Sequence, residues 1–133
     1  MAPNGSLDVL LDHAQDKVVL IDEAGVVTYA NDAVDRILGY DPAEFVGTNA
    51  FEYMHPADVD DVRDGFQRLV EDDDLAVTTA TYRFAAADGS WVTLESRLSN
   101  CRGDDLDGYV VSSRDVTDRI AAERDRRATT ARL

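Results

Sequence analysis

The side chains of this sequence that could take part in chemistry are mostly carboxylates. Aspartate and glutamate number 27 in 133 residues, so neighbouring acids such as Asp60-Asp61 and Asp104-Asp105 follow from composition alone. The acidic clusters do not complete a calcium loop, which needs a glycine and a closing glutamate at fixed offsets. The sequence also lacks a phosphate-binding glycine-rich loop, a nucleophile elbow and a metal-spaced pair of histidines. It therefore predicts a protein that is not an enzyme.

Cysteine usage and hydropathy limit the class of protein further. The single Cys101 excludes an intramolecular disulfide and a cysteine-based zinc site. No apolar run approaches the roughly 20 residues of a membrane span, and the N-terminus lacks the regions of a signal peptide. A cytoplasmic domain without membrane contact is expected.

The net charge of −14 is unusual for a chain of this length. Aspartate outnumbers glutamate 21 to 6, and Lys17 is the only lysine. High salt screens the self-repulsion of such a surface, and the composition is typical of proteins from salt-loving organisms. An acidic surface that attracts a basic partner is the alternative. Nucleic acid is not expected as a partner, because phosphate contacts need clustered lysine and arginine.

The C-terminal half contains the strands that would position a site. β-branched and aromatic residues fill 78–84, Asp88-Gly89 supplies a turn, and residues 91–98 alternate between two faces. A polar loop over 100–108 and a strand over 109–116 follow. Alternation places Trp91 on the outer face.

The N-terminal half predicts a hairpin and then helices. Strands at 18–21 and 26–29 are joined by a turn. Asn31 is expected to cap the first helix, Asp41 the second, and His55-Pro56 to open the longest one after a short turn at 50–54. A further amphipathic helix is expected at 7–14. Helices gathered on one side of an antiparallel sheet make an α+β fold.

Seven segments, in order and spacing, resemble the PAS sensory domains from Val18 to Arg119. They are Leu20-Ile21-Asp22 with Gly25, Tyr29-Ala30-Asn31, Leu38-Gly39-Tyr40, Glu44-Phe45-Val46-Gly47, His55-Pro56-Ala57-Asp58, Tyr82-Arg83-Phe84 with Asp88-Gly89-Ser90, and Arg114-Asp115-Val116-Thr117-Asp118-Arg119. The resemblance implies a five-stranded antiparallel sheet with short helices covering one face, flanked by N- and C-terminal helices. It divides the chain into a flanking helix (1–16), a PAS domain (17–118) and the start of a linker helix (119–133).

The resemblance also implies a role in signalling. Such domains sense a ligand or mediate dimerisation inside multidomain proteins such as histidine kinases, and the acidic composition suggests a haloarchaeal source. The Asp-x-Thr motif of the family links the last strand to an output helix. Carried over, Asp115 and Thr117 take that role as a signal relay, with Arg119 as an ionic partner of Asp115.

Family subtypes differ at identifiable positions. The blue-light subtype has a reactive cysteine where this sequence has Ala50, in Gly47-Thr48-Asn49-Ala50, so a covalent flavin adduct is excluded. Haem needs an axial ligand, usually histidine, and the long helix has none, so haem is not expected. A small, planar, weakly polar ligand remains, in a pocket whose lining follows from alternation and helical spacing. The predicted ligand-binding residues are Val19, Ile21, Ile37, Leu38, Phe45, Phe51, Met54, Phe66, Tyr82, Phe84, Leu94, Ser96, Val111 and Ser113.

Two other functions stay open. In the first, the core is packed shut and the chain is a protein–protein interaction module, a homodimer held by the N-terminal helix and an outer sheet face carrying Trp91. In the second, the domain is a noncovalent flavin sensor. In each case a downstream signalling domain would lie elsewhere in a longer protein.

Overall fold

The computed structural model describes residues 15–103 and 107–132, with side chains up to Arg126. In these ranges five strands form one antiparallel sheet in the order β2-β1-β5-β4-β3. The strands are β1 (Lys17–Ile21), β2 (Val27–Ala30), β3 (Val77–Ala85), β4 (Trp91–Cys101) and β5 (Gly108–Asp115). The last strand in sequence therefore lies at the centre of the sheet, between β1 and β4.

The helices between β2 and β3 pack on one face of this sheet, which confirms the α+β fold class. They are α1 (Ala33–Leu38), α2 (Pro42–Phe45), a 3₁₀ turn (Ala50–Tyr53) and α3 (Val59–Glu71); α4 (Thr117–Arg132) follows β5. Their apolar side chains and those of the inner sheet face form one core. No helix in the ranges given above is long and apolar enough to cross a membrane. The helix expected at 7–14 lies outside the described residues.

The β1–β2 hairpin is fixed by its turn residues. Asp22 Oδ1 accepts the backbone N–H groups of Ala24 and Val26, at 2.9 and 3.0 Å. Gly25 has φ 89°, and a Cβ at this position would lie 2.5 Å from a ring carbon of Phe51. Glycine therefore permits the turn and lets the hairpin contact an aromatic ring of the helical layer.

The observed start of one helix agrees with the start predicted from the sequence, and the observed starts of two others differ from the prediction. Asp41 caps α2 as expected, because its carboxylate accepts the Ala43 N–H at 2.9 Å. The N-cap of α1 is Asp32 rather than Asn31, whose buried side chain instead accepts the Val18 N–H at 2.9 Å. The helix expected to open at His55-Pro56 is α3, which begins at Val59 and, with 13 residues, is shorter than the 16-residue α4.

The loop expected at 100–108 is shorter in the structure. Asn100 and Cys101 continue β4, and Cys101 pairs with Gly108 at the start of β5. Pairing with β5 therefore extends β4 into a polar segment, whereas alternation in the sequence predicted that the strand ends at residue 98.

Candidate functional site

The inner face of the sheet and the helical layer enclose a small apolar cavity of about 20 Å³. A volume of this size holds about one water molecule, so an organic ligand needs side chains to move. The cavity is lined by Lys17, Val19, Ile21, Ala50, Phe51, Met54, Val62, Tyr82, Phe84, Leu98 and Val111.

Seven of the fourteen predicted ligand-binding residues line this cavity, and seven lie elsewhere in the fold. The first group is Val19, Ile21, Phe51, Met54, Tyr82, Phe84 and Val111. Of the second group, Leu38, Phe45, Phe66, Leu94, Ser96 and Ser113 are buried away from the cavity, and Ile37 is half-buried. Their role in ligand binding remains a prediction.

Lys17 is the functional candidate that the pocket prediction omitted. Its side chain is only 2% exposed, and its ammonium lies 5.2 Å from the centroid of the Phe84 ring. Burial lowers the pKa of Lys17 to about 8. The period-two pattern could have located it, because Lys17, Val19 and Ile21 share one face of β1.

A buried hydroxyl network crosses the sheet beside Lys17. Ser113 is the β5 partner of Lys17 in the ladder, and Ser96 is the β4 partner of Ser113. The Oγ atoms of the two serines are 2.7 Å apart, and Ser96 Oγ donates to Tyr82 Oη at 2.8 Å. Burial raises the pKa of Tyr82, so it stays neutral at physiological pH. The serines therefore bond to each other and to Tyr82 instead of facing the cavity.

The junction between β5 and α4 is bonded directly to β4. Thr117 Oγ1 accepts the Thr93 N–H at 2.9 Å, and the Val116 N–H donates to the Thr93 carbonyl at 2.9 Å. Asp115 Oδ1 accepts both the backbone N–H and the hydroxyl of Thr117, at 2.9 and 2.6 Å. The Thr117 hydroxyl therefore fixes the start of α4 to the sheet.

Arg119 contacts a different acid from the one expected. Its guanidinium lies 2.9 Å from a carboxylate oxygen of Glu95 on β4, and this pair replaces the predicted pair with Asp115. The reason is geometric: Asp115 is occupied by Thr117, while the first turn of α4 lies beside β4. The first turn of the helix is thus held to β4 at two points.

The His-Pro-x-Asp turn at residues 55–58 fixes the helical layer to β3, which is an edge strand of the sheet. The Asp58 carboxylate forms a bidentate salt bridge with the Arg83 guanidinium, with both hydrogen bonds at 2.9 Å. It also accepts the Arg83 backbone N–H. These bonds hold the pKa of Asp58 down, at about 2. His55 donates its backbone N–H to the Arg83 carbonyl, and its ring lies 4.7 Å from that of Trp91.

The outer sheet face carries a larger groove of about 580 Å³ that is open to solvent. Its walls include Thr79, Thr81, Glu95, Arg97 and Arg114, so it is polar and charged. Trp91 lies on the outer side as alternation predicted and is 45% exposed. Within the described part of the chain, no group of three or more potential metal ligands is close enough to hold an ion.

Comparison with known proteins identifies a family. A family model described as the PAS fold matches residues 27–111. The human basic helix-loop-helix ARNT-like protein 2 is 36% identical over 73 residues, which is 55% of this chain and 11% of that protein. The chain thus spans about a tenth of the length of that relative.

Solved structures share the fold. A PAS domain of an HTR-like protein from Haloarcula marismortui has a TM-score of 0.67 and 24% identity, covering 83% of this chain and 94% of that one. The PAS domain of the quorum-sensing receptor RpfR from Cronobacter turicensis, in complex with C12:0, has a TM-score of 0.65 and 18% identity, covering 79% and 97%.

Proposed function

The chain belongs to the PAS fold family, and we propose that it is a sensory module that binds a small ligand on the inner face of its sheet. Binding would change the packing of β4 and β5, and the Asp115–Thr117 junction would pass that change to α4. The output would then arise in a further domain of a longer signalling protein, such as a histidine kinase.

The observation that carries this proposal is the bonding of Thr117 to Thr93. The same two strands hold the Ser96–Ser113 pair in the core and the junction at their end, only two or three residues away. Hydrogen-bonded neighbouring strands cannot shift independently, so a displacement in the core reaches the first turn of α4. A ligand can drive this only if it has different affinities for the two arrangements.

Ligand entry would require the helical layer to move. Ala50, Phe51 and Met54 belong to short elements or the segments beside them, and a methionine side chain adapts readily to new neighbours. The RpfR PAS domain, of similar fold, holds C12:0. This likeness supports a cavity that expands around an apolar molecule.

Native mass spectrometry of the protein purified in high salt tests ligand binding. A stoichiometric small molecule, identified by its mass after denaturing release, would support the sensor function. A released flavin would identify the noncovalent flavin sensor instead. Protein that is empty and also fails to bind any added small apolar compound would contradict the sensor function.

The small cavity favours a second candidate, a protein–protein interaction module. At about 20 Å³ the core is nearly filled, and the exposed Trp91 offers an aromatic anchor of the kind found at interfaces. In this case two copies of the chain would form a homodimer through the outer sheet face. An empty dimer in native mass spectrometry would favour this function.

A further inference from the structure

We propose that the ligand of the cavity is a monocarboxylate with an apolar body, and that Lys17 binds its carboxylate. This inference rests on the proposed sensory function and specifies the chemical class of the ligand. It follows from the position of the one lysine in the sequence.

Lys17 combines burial with the lack of a protein counter-charge. Its side chain lines the cavity and is 98% buried, and the structure gives its ammonium a contact with the Phe84 ring at 5.2 Å. Among the ion pairs and hydrogen bonds of the described residues, none involves this ammonium, which keeps a small solvent-accessible area. A cation–π contact recovers only part of the cost of removing an ammonium from water.

A bound carboxylate would supply the missing partner. Buried charges in proteins are generally paired, and a charge-assisted hydrogen bond is roughly twice as strong as a neutral one. The pKa of about 8 leaves Lys17 mainly protonated near neutral pH, so it can act as a cation there. Tyr82, the other titratable group on the cavity wall within the described ranges, is neutral and adds no competing charge.

The other side chains on the cavity wall determine the chemistry of the rest of the ligand. Apart from Lys17 and the Tyr82 hydroxyl, the side chains on its wall are apolar, including Phe51, Met54 and Val111. A second carboxylate or a sugar would therefore be buried without partners, which is costly. A ligand with one anionic group and an apolar body would pair its charge with Lys17 and contact the apolar side chains of the wall.

Matched pairs of small molecules test this assignment directly. The probes are benzoate with benzamide and hexanoate with hexanamide, since each pair differs only in the charge of the head group. Because the chain has one lysine, protein labelled with ¹⁵N-lysine and carrying no lysine in any tag shows a single ammonium signal. Titration calorimetry measures affinity, and the Nζ signal reports the pKa of Lys17 with and without each probe.

We expect each carboxylate to bind at least tenfold more tightly than its amide and to raise the pKa of Lys17. In Lys17→Met, which keeps the length and removes the charge, this preference should disappear, and Lys17→Arg should retain part of it. Equal binding of acid and amide, or acid binding that leaves the Nζ titration unchanged, overturns the assignment but leaves a ligand sensor. Failure of all four probes to bind also overturns the assignment, whereas the sensory function is decided separately by the native mass spectrometry described above.

Discussion

The side chain of Thr117 bonds to the backbone of Thr93, so α4 begins as a continuation of the β4–β5 ladder. Thr117 Oγ1 accepts the Thr93 N–H at 2.9 Å, next to the backbone bond from Val116 to the Thr93 carbonyl. Asp115 orients the hydroxyl by accepting its proton at 2.6 Å. The orientation of α4 is therefore coupled to the position of β4.

Thr117→Val should release this coupling while preserving the fold. Valine has the shape of threonine but no acceptor, so the Thr93 N–H loses its partner at a cost of about 1 kcal/mol. We expect amide exchange at Thr93 to accelerate about fivefold and exchange in the first turn of α4 to rise with it, measured by NMR. Thr81→Val, at an exposed position of β3, is the control. Unchanged exchange at Thr93 would show that the hydroxyl does not hold the junction.

Asp58→Asn should destabilise the protein in a way that depends on pH. The pKa of Asp58 falls from its usual 3.8 to about 2 on folding, so its stabilising effect is complete above pH 3.8 and disappears as the pH falls toward 2. The site is partly exposed, so we expect a loss of about 1 kcal/mol at pH 7. Urea unfolding of both proteins between pH 2 and 7 measures this difference.

The matched control for that substitution is Asp64→Asn, at an exposed position in the middle of α3, the helix that follows Asp58. It removes the same charge without removing the Arg83 pair. If the two variants lose the same free energy of unfolding relative to wild type, the effect comes from net charge and not from the Asp58–Arg83 pair.

Lys17→Met should stabilise the free protein. The pKa of Lys17 is lower in the folded state than its usual 10.5, so the charged form disfavours folding at every pH below about 8. Between pH 8 and 10.5 the unfolded chain binds more protons, so wild-type stability rises relative to the variant. We expect an advantage for the variant of about 3 kcal/mol at pH 7 that shrinks above pH 8.

Chemical unfolding of the two proteins from pH 6 to 10.5 measures this advantage. Arg97→Met removes a positive charge from an exposed position and serves as control. A variant less stable than wild type at pH 7 would mean that the ammonium is stabilised within the fold, and that a ligand is not needed to pair it.

Trp91→Ala should weaken self-association. A large aromatic side chain that is 45% exposed can contribute more than 1 kcal/mol when a partner covers it. We expect the wild-type chain to dimerise and the dissociation constant to rise at least tenfold in the variant, by analytical ultracentrifugation. Val46→Ala, at the other exposed large apolar residue among those described, is the control. A Trp91→Ala protein that dimerises like wild type would place the interface elsewhere.

Much of the fold could be predicted because local signals agreed with tertiary packing. Alternation placed Leu94 and Ser96 on the inner face and Trp91 on the outer one, as observed. The α3 start was wrong because Asp58 bonds to Arg83 on β3, a contact 25 residues away that holds residues 55–58 in a turn. Long-range pairing also extended β4 to Cys101.

The site was harder to predict than the fold. Lys17 was omitted because lysine is rarely buried, although its spacing from Val19 indicated the inner face. Ser96 and Ser113 were placed correctly in the core, but their mutual hydrogen bond depends on strand register, which sequence alone does not supply. Arg119 was expected to pair with Asp115 when the motif was carried over from the family, whereas it pairs with Glu95 on the neighbouring strand β4.

The central claim is that a change in the core reaches α4 through Asp115, and amide NMR of wild type and Asp115→Ala during a hexanoate titration tests it most directly. In wild type we predict that resonances of the cavity, of Thr93 and of the first turn of α4 shift with one common binding curve. In Asp115→Ala the cavity shifts should remain with the same affinity, and those of α4 should be lost. Cavity shifts without an α4 response in wild type, or equal α4 shifts in the two proteins, would contradict the relay.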